Sequence, residues 1–208
     1  MWFRLFFFMW LFWACCAPGA RADIAAKIPF LVKSKAAVLM NSVSGQFICS
    51  KNPHEQIPPA SLTKLMTLFL AYDSVDNGYV TLSDEVKISK KAWQTTGSRM
   101  FLEVGTSAPL KELLTGIAVV SGNDACVAVA EYIAGVEEVF VEKMNKKSAA
   151  LGMTNTVFKN SHGLPAGQHT TARDVALLAY HYVKAHPEAL RMHRTKKMVF
   201  NGITQRNR

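Results

Sequence analysis

An α+β fold is predicted from three observations: a short strand pair near the start of the chain, strongly apolar helical runs after it, and turn residues separating them. Ala36 to Met40 and Gln46 to Ser50 are short apolar segments flanking Asn41-Ser42-Val43-Ser44-Gly45, the pattern of a β-hairpin with a polar, glycine-bearing loop. Leu62 to Ala71, Leu110 to Val120 and Ala125 to Ala134 are rich in apolar residues at helical length. With 208 residues, the chain is long enough for one ordinary domain with a real core.

The first 22 residues read differently from the rest. Met1-Trp2-Phe3-Arg4 carries a positive charge, Leu5 to Ala14 is apolar and aromatic, and Ala20-Arg21-Ala22 offers a small-x-small cleavage pattern before Asp23. Residues 1–22 are therefore expected to be a secretory signal peptide and residues 23–208 the exported mature domain. A membrane anchor fits less well, because the apolar run is about half the roughly 20 residues a spanning helix needs.

Cleavage removes Arg4 and Arg21 and leaves 22 basic against 15 acidic side chains. That modest excess suits an anionic polymer or peripheral contact with membrane headgroups. Nucleic acid is disfavoured, since the lysines are scattered and the chain is exported. The mature cysteines are Cys49 and Cys126, which excludes a disulfide framework, and the apolar run around Cys126 marks it as a small buried hydrophobe.

Pro58 and Pro59 cannot continue a helix and fit best just ahead of one. The helix that follows has hardly a polar face, so it is expected to be buried on most sides. Ser61 falls at its first turn, and Lys64, three residues on, shares its face. Unpaired N–H groups at the helix start favour negative charge developing near the serine. A lysine at the edge of a dry core loses proton affinity and becomes a base for a neighbouring hydroxyl. Ser61 is the candidate nucleophile and Lys64 its base, although the same spacing also fits a capping serine with an outward-reaching lysine.

The chain then turns at Asp73 to Gly78, and Val80 to Ser107 reads as loops with short strands. The apolar helical pattern breaks at Ser121-Gly122-Asn123-Asp124 and resumes, with Gly135 as a stop. A helix–helix turn, bent at Gly122 and capped by Asn123 or Asp124, accounts for part of this tetrapeptide. It leaves the pairing of Ser121 with Asn123 unexplained, and half-buried polar groups cost about 1–3 kcal/mol without partners.

An amphipathic helix is expected over Val136 to Leu151, then a turn-rich loop Asn160-Ser161-His162-Gly163-Leu164-Pro165. Thr171-x-x-Asp174 is a capping box opening a helix towards His186. His162 is more simply a loop histidine bonded to backbone than a catalytic one. No metal-ligand set is read: His181 and His186 are five apart, the wrong spacing for one helical face, and no H-E-x-x-H occurs. No cofactor motif is found either.

Ser61-x-x-Lys64 followed by Ser121-Gly122-Asn123 matches two elements of the signature of penicillin-binding proteins and class A β-lactamases. The fuller strings Pro-Pro-Ala-Ser-Leu-Thr-Lys-Leu-Met-Thr, Ser-Gly-Asn-Asp-Ala and Asn-Ser-His-Gly-Leu-Pro resemble the low-molecular-weight D-alanyl-D-alanine carboxypeptidases, over essentially all of residues 30 to 206. The resemblance implies a fold of the serine β-lactamase and penicillin-binding type. It also implies removal of the terminal D-alanine from peptidoglycan stem peptides through an acyl-enzyme on Ser61, with β-lactams as acylating inhibitors. Lys64 would take the serine proton, Ser121 would relay a proton to the leaving D-alanine, and Asn123 would hold the substrate amide and help orient Lys64.

One element departs from the family pattern. No Lys-Thr-Gly occurs in these 208 residues, and Lys196-Lys197-Met198 does not replace it. The expectation is a carboxypeptidase domain truncated before that strand, with an N-terminal hairpin, a helical subdomain, the later sheet strands missing, and the hairpin left with an exposed edge. Losing one oxyanion donor alone costs about a hundredfold to a thousandfold in rate. Two rival readings are an inactive remnant that binds cell wall or a partner, and a β-lactamase.

Overall fold

The computed structural model describes residues 26–29, 32–165 and 167–207. The expected signal peptide and its cleavage site lie outside them. Fifteen short elements follow one another: β1 Ala26–Lys27, β2 Ala37–Met40, β3 Phe47–Lys51, a 3-10 turn Ala60–Leu62, α1 Thr63–Asp76, β4 Glu85–Lys87, α2 Lys90–Gln94, β5 Ser107–Pro109, α3 Leu110–Val120, α4 Asn123–Ala134, α5 Glu137–Ala150, α6 Ala172–Ala185, α7 Ala189–His193, β6 Lys197–Phe200 and β7 Ile203–Arg206.

The expected hairpin is present as β2 and β3, closed by the Asn41 side chain, which accepts from the N–H groups of Val43 and Ser44. Among the described residues β2 is an edge strand of the sheet, while β3 is covered on its other side. Two residues of β1 pair in parallel with β3, giving the strand order β1-β3-β2. Leu39 and Ile48 remain about half exposed.

Helix α1 is the centre of the core. Met66, Leu68, Phe69, Ala71 and Tyr72 are buried on it, together with Thr63, Lys64 and Thr67, so its apolar sequence is matched by neighbours on nearly all sides. Those neighbours are α3, α4, α5 and α6. Helix α4 is the other buried rod, with Ala125 to Ala130 withdrawn from solvent. Cys126 is fully buried beside them, and burial pushes its thiol up to about 12.

The region 80–107 contains a helix, α2, that periodicity did not reveal. Five residues are too few to show a repeat, and its clearest signal is local: the Ser89 hydroxyl accepts from the Ala92 N–H as an N-cap. Likewise, Asn201 and Gly202 both adopt positive φ, 46° and 74°, and close a two-residue hairpin between β6 and β7. At the start of α6 the capping box is half formed. Thr171 accepts from the Asp174 N–H, but the Asp174 carboxylate turns away to the Asn155 N–H and the Thr156 hydroxyl.

Candidate active site

Ser61 occupies the middle of the 3-10 turn that leads into α1. Pro58 and Pro59 bring the chain in, and Ile57 is fastened to Thr170 by a reciprocal pair of backbone hydrogen bonds at 2.9 Å. Ala60 then takes φ +46°, a left-handed conformation that costs a non-glycine residue about 1–2 kcal/mol. Gly163, at φ +104°, lies so close behind that an added Cβ would overlap the Ala60 carbonyl. The strained residue before the serine is thus backed by a position only glycine can fill.

Lys64 reaches back along the helix face to place Nζ 3.2 Å from the Ser61 hydroxyl oxygen. Its other partner is the carbonyl of His162, 2.7 Å away. Only 4% of Lys64 is exposed, and burial holds its pKa below the ordinary lysine range, an effect that the nearby Cys126 sulfur partly opposes. A neutral amine in this position has an N–H for the His162 carbonyl and a lone pair for the serine proton.

Ser121 arrives from the break between α3 and α4. It caps α3 in the left-handed conformation, φ +57°, and directs its hydroxyl at Ser61 Oγ, 2.9 Å away. Glycine and asparagine are the usual residues there, so a serine held in that conformation is a feature that needs a reason. Ser61 Oγ consequently has Lys64 on one side and Ser121 on the other.

Asn123 is buried two residues on, its N–H donating to the Ser98 carbonyl and its side-chain amide to the Thr96 carbonyl, each at 2.7 Å. The expected contact between Asn123 and Lys64 is replaced by the one from Lys64 to the His162 carbonyl. A Cβ on Gly97 would come within 2.5 Å of the Asn123 amide nitrogen, so the chain passes very close over this residue. The reading of Asn123 and Asp124 as caps is corrected. Gly122 is the N-cap, both residues lie inside α4, and the Asp124 carboxylate accepts from the backbone N–H groups of Met100, Leu102 and Ala125 at 2.9–3.2 Å. Asp124 clamps the 98–102 segment to α4.

The loop bearing His162 is held just as firmly. The Thr67 hydroxyl donates to the Ser161 carbonyl, and Glu137 accepts from both the N–H and the hydroxyl of Ser161 at 2.9 and 2.7 Å. Lys91 pairs with Glu137 at 3.0 Å and with Glu138 at 2.8 Å. Burial alone would raise the Glu137 pKa, but the Ser161 donors and Lys91 together hold it below the usual carboxylate range. Neither Glu137 nor Asp124 was legible as a supporting residue, because each acts on backbone groups distant in sequence. The His162 ring accepts from the Leu164 N–H, and burial lowers its pKa, so its contribution to the site is its carbonyl.

A cavity of about 830 Å³ opens beside these residues, bordered by Lys90, Lys91, Thr96, Gly97, His162 and Leu164. It adjoins the residues around Lys64 and Asn123 without including Ser61 in its wall. Such an arrangement, a hydroxyl flanked by a desolvated amine and a second hydroxyl next to an open groove, can carry out acyl transfer. Among the described residues, no helix is long and apolar enough to cross a membrane.

Comparison with known proteins places these features in context. A family profile described as D-alanyl-D-alanine carboxypeptidase matches residues 23–208. D-alanyl-D-alanine carboxypeptidase DacF of Bacillus subtilis (strain 168) is 46% identical over 153 residues, which cover 73% of this chain and 39% of that protein. DacC of Escherichia coli (strain K12) is 40% identical over 184 residues, covering 85% of this chain and 46% of its own length. The solved structure of penicillin binding protein 5 from Haemophilus influenzae superimposes with a TM-score of 0.83 at 38% identity, covering 86% of this chain and 54% of that one. The chain thus spans about half the length of the relatives it matches.

Proposed function

The chain belongs to the D-alanyl-D-alanine carboxypeptidase family, a family of serine peptidases, and from that premise we propose that it removes the terminal D-alanine from peptidoglycan stem peptides through an ester on Ser61. The observation that carries this reading is the placement of Ser61 Oγ 3.2 Å from Lys64 Nζ and 2.9 Å from Ser121 Oγ.

In the first step Ser61 Oγ attacks the carbonyl carbon between the two D-alanines while its proton passes to the neutral Lys64 amine. The Ser61 N–H supplies one donor to the oxyanion. Collapse breaks the C–N bond, and Ser121 hands a proton to the departing D-alanine nitrogen and is resupplied by Lys64. Water then hydrolyses the ester by the same proton path in reverse, which releases the shortened stem peptide and restores Ser61. Asn123 would hold the substrate amide at the edge of the groove bordered by Gly97 and His162. Penicillins, which present a strained amide to the same serine, would stop at the ester. The periplasmic face of the inner membrane is where such a substrate would be met.

The test is an intact mass of the purified protein with and without excess penicillin. A gain of one penicillin in the parent and none in Ser61→Ala supports the reading, and release of D-alanine from a D-Ala-D-Ala peptide by the parent alone would extend it to the substrate. A folded protein that takes up no penicillin would instead favour a scaffold that binds cell wall without cleaving it. Fast turnover of the drug without an adduct would favour a β-lactamase.

A further inference from the structure

The far end of α1 carries a second cluster of chemistry-bearing groups, unrelated to the serine. Asp76 is the last residue of α1, His186 caps α6, and Glu188 follows Pro187 at the start of α7. The three come together although Asp76 lies more than a hundred residues before the other two. His186 Nδ1 is 2.9 Å from Asp76 Oδ2 and 3.8 Å from Glu188 Oε1, and the three donor atoms all lie within 4.8 Å of one another. We propose that Asp76, His186 and Glu188 bind one Zn²⁺ ion, with a water completing its coordination.

Three features of His186 carry the proposal beyond a chance meeting of acids. First, the residue is 2% exposed, and its Nδ1 atom is buried without a hydrogen bond, even though a carboxylate oxygen lies close to it. A buried ring nitrogen in that condition costs free energy unless something sits between it and the oxygens it faces.

Second, the opposite nitrogen is occupied. Nε2 is 3.0 Å from Asp73 Oδ1, and the other oxygen of Asp73 is paired with Lys147 at 2.8 Å. A carboxylate on one imidazole nitrogen is the arrangement that orients the other towards a metal and raises its basicity.

Third, the ring is locked. Tyr72 stacks on it at 5.5 Å between centroids and Phe69 meets it edge-on at 5.3 Å. The Nδ1 direction is therefore set before any ion arrives.

The donor types select the ion. One imidazole nitrogen with two carboxylate oxygens is a set that Zn²⁺ accepts in four-coordination, whereas Ca²⁺ and Mg²⁺ prefer oxygen alone and Cu(I) prefers sulfur. Donors bound at about 2.0–2.2 Å around a tetrahedral ion stand about 3.3–3.5 Å apart, within the spread seen here, so small side-chain adjustments close the site. The ion would also lie against the carbonyl ends of α1 and α6, where the helix dipoles favour a cation. Its effect is to fasten three chain segments together.

The experiment is calorimetric titration of the chelator-stripped full chain with Zn²⁺, paired with thermal unfolding in the presence and absence of Zn²⁺. One ion per chain and a raised midpoint are expected. Asp76→Asn and Glu188→Gln change exposed carboxylates and leave the core intact; each should weaken uptake by at least about tenfold, and the double variant should abolish it. Asp73→Asn, which acts through His186, should cost about tenfold to a hundredfold. Titration with Co²⁺ should give visible absorption bands that the double variant lacks. No saturable uptake at millimolar Zn²⁺, or uptake that ignores the Asp76 and Glu188 changes, would overturn the proposal.

Discussion

The Ser121 hydroxyl donates to the Ser61 hydroxyl oxygen over 2.9 Å across sixty residues of chain, and it does so from a backbone conformation that serine seldom adopts. In the proposed mechanism that pairing would make Ser121 the source of the proton for the departing amine. Replacing it should therefore damage chemistry more than folding. Ser121→Gly relieves the left-handed strain and removes the hydroxyl; its unfolding midpoint should be equal to or above that of the parent, while penicillin acylation slows by about a hundredfold to ten-thousandfold, the range for a lost acid–base partner. Rapid quench of acylation alongside a urea melt checks both.

Burial lowers the Lys64 pKa, so the neutral amine is present at a lower pH than for a free lysine. Acylation should rise with pH through that lowered pKa and level off at a lower pH than a free lysine would allow. The sign for stability is the same. Between the lowered value and about 10.5 the unfolded chain holds a proton that the folded chain has released, and stability should increase with pH across that window. Lys64→Met should flatten the rise in stability there, and should abolish acylation at every pH. Stopped-flow acylation and denaturant melts from pH 6 to 10 provide the readouts.

Gly163→Ala would push a methyl group into the Ala60 carbonyl at a φ that alanine resists. The turn that presents Ser61 must then move. A displacement near 1 Å costs about a hundredfold in rate, so acylation should drop by that order, with lesser loss in a Gly167→Ala control, where no atom lies within 4 Å of the added Cβ. Comparing acylation rates of the two variants separates the collision from the general cost of a positive-φ alanine.

Asp124→Ala removes the shared acceptor of the Met100, Leu102 and Ala125 N–H groups. Stranding buried donors costs about 1–3 kcal/mol each, partly recovered by relaxation, so a loss of about 3 kcal/mol or more is expected in urea unfolding. Asp124→Asn, which keeps one carbonyl acceptor, should lose less.

The legible parts of this molecule were those in which local chemistry and periodicity point the same way. Ser61 and Lys64 share a helix face by spacing alone, and Ser121 could be found because polar residues interrupt an apolar pattern. The supports were hidden for a physical reason. Lys64 is oriented by a carbonyl at His162, and every residue has a carbonyl, so no side chain advertises it. Asp124 looked like a helix cap because its sequence neighbours are consistent with that, while its true partners, Met100 and Leu102, are known only from the fold. The Asn201-Gly202 pair is a readable hairpin signal, since both residues tolerate positive φ. The parallel pairing of β1 with β3 was beyond reach, since two residues carry no period.

Two of the contacts around the serine join segments far apart in the chain. Ser61 meets Ser121 across 60 residues, and Lys64 meets the His162 carbonyl across 98. Contacts of such separation require long loops to close, which slows their formation relative to helices. On the proposed mechanism, a chain that had formed α1 but not docked the 160–165 loop would carry an ordinary serine beside a solvated, charged lysine, and would be chemically silent. Covalent capture by a penicillin would for that reason act as a clock for tertiary assembly, recording the moment at which distant segments arrive rather than the moment at which the helix forms.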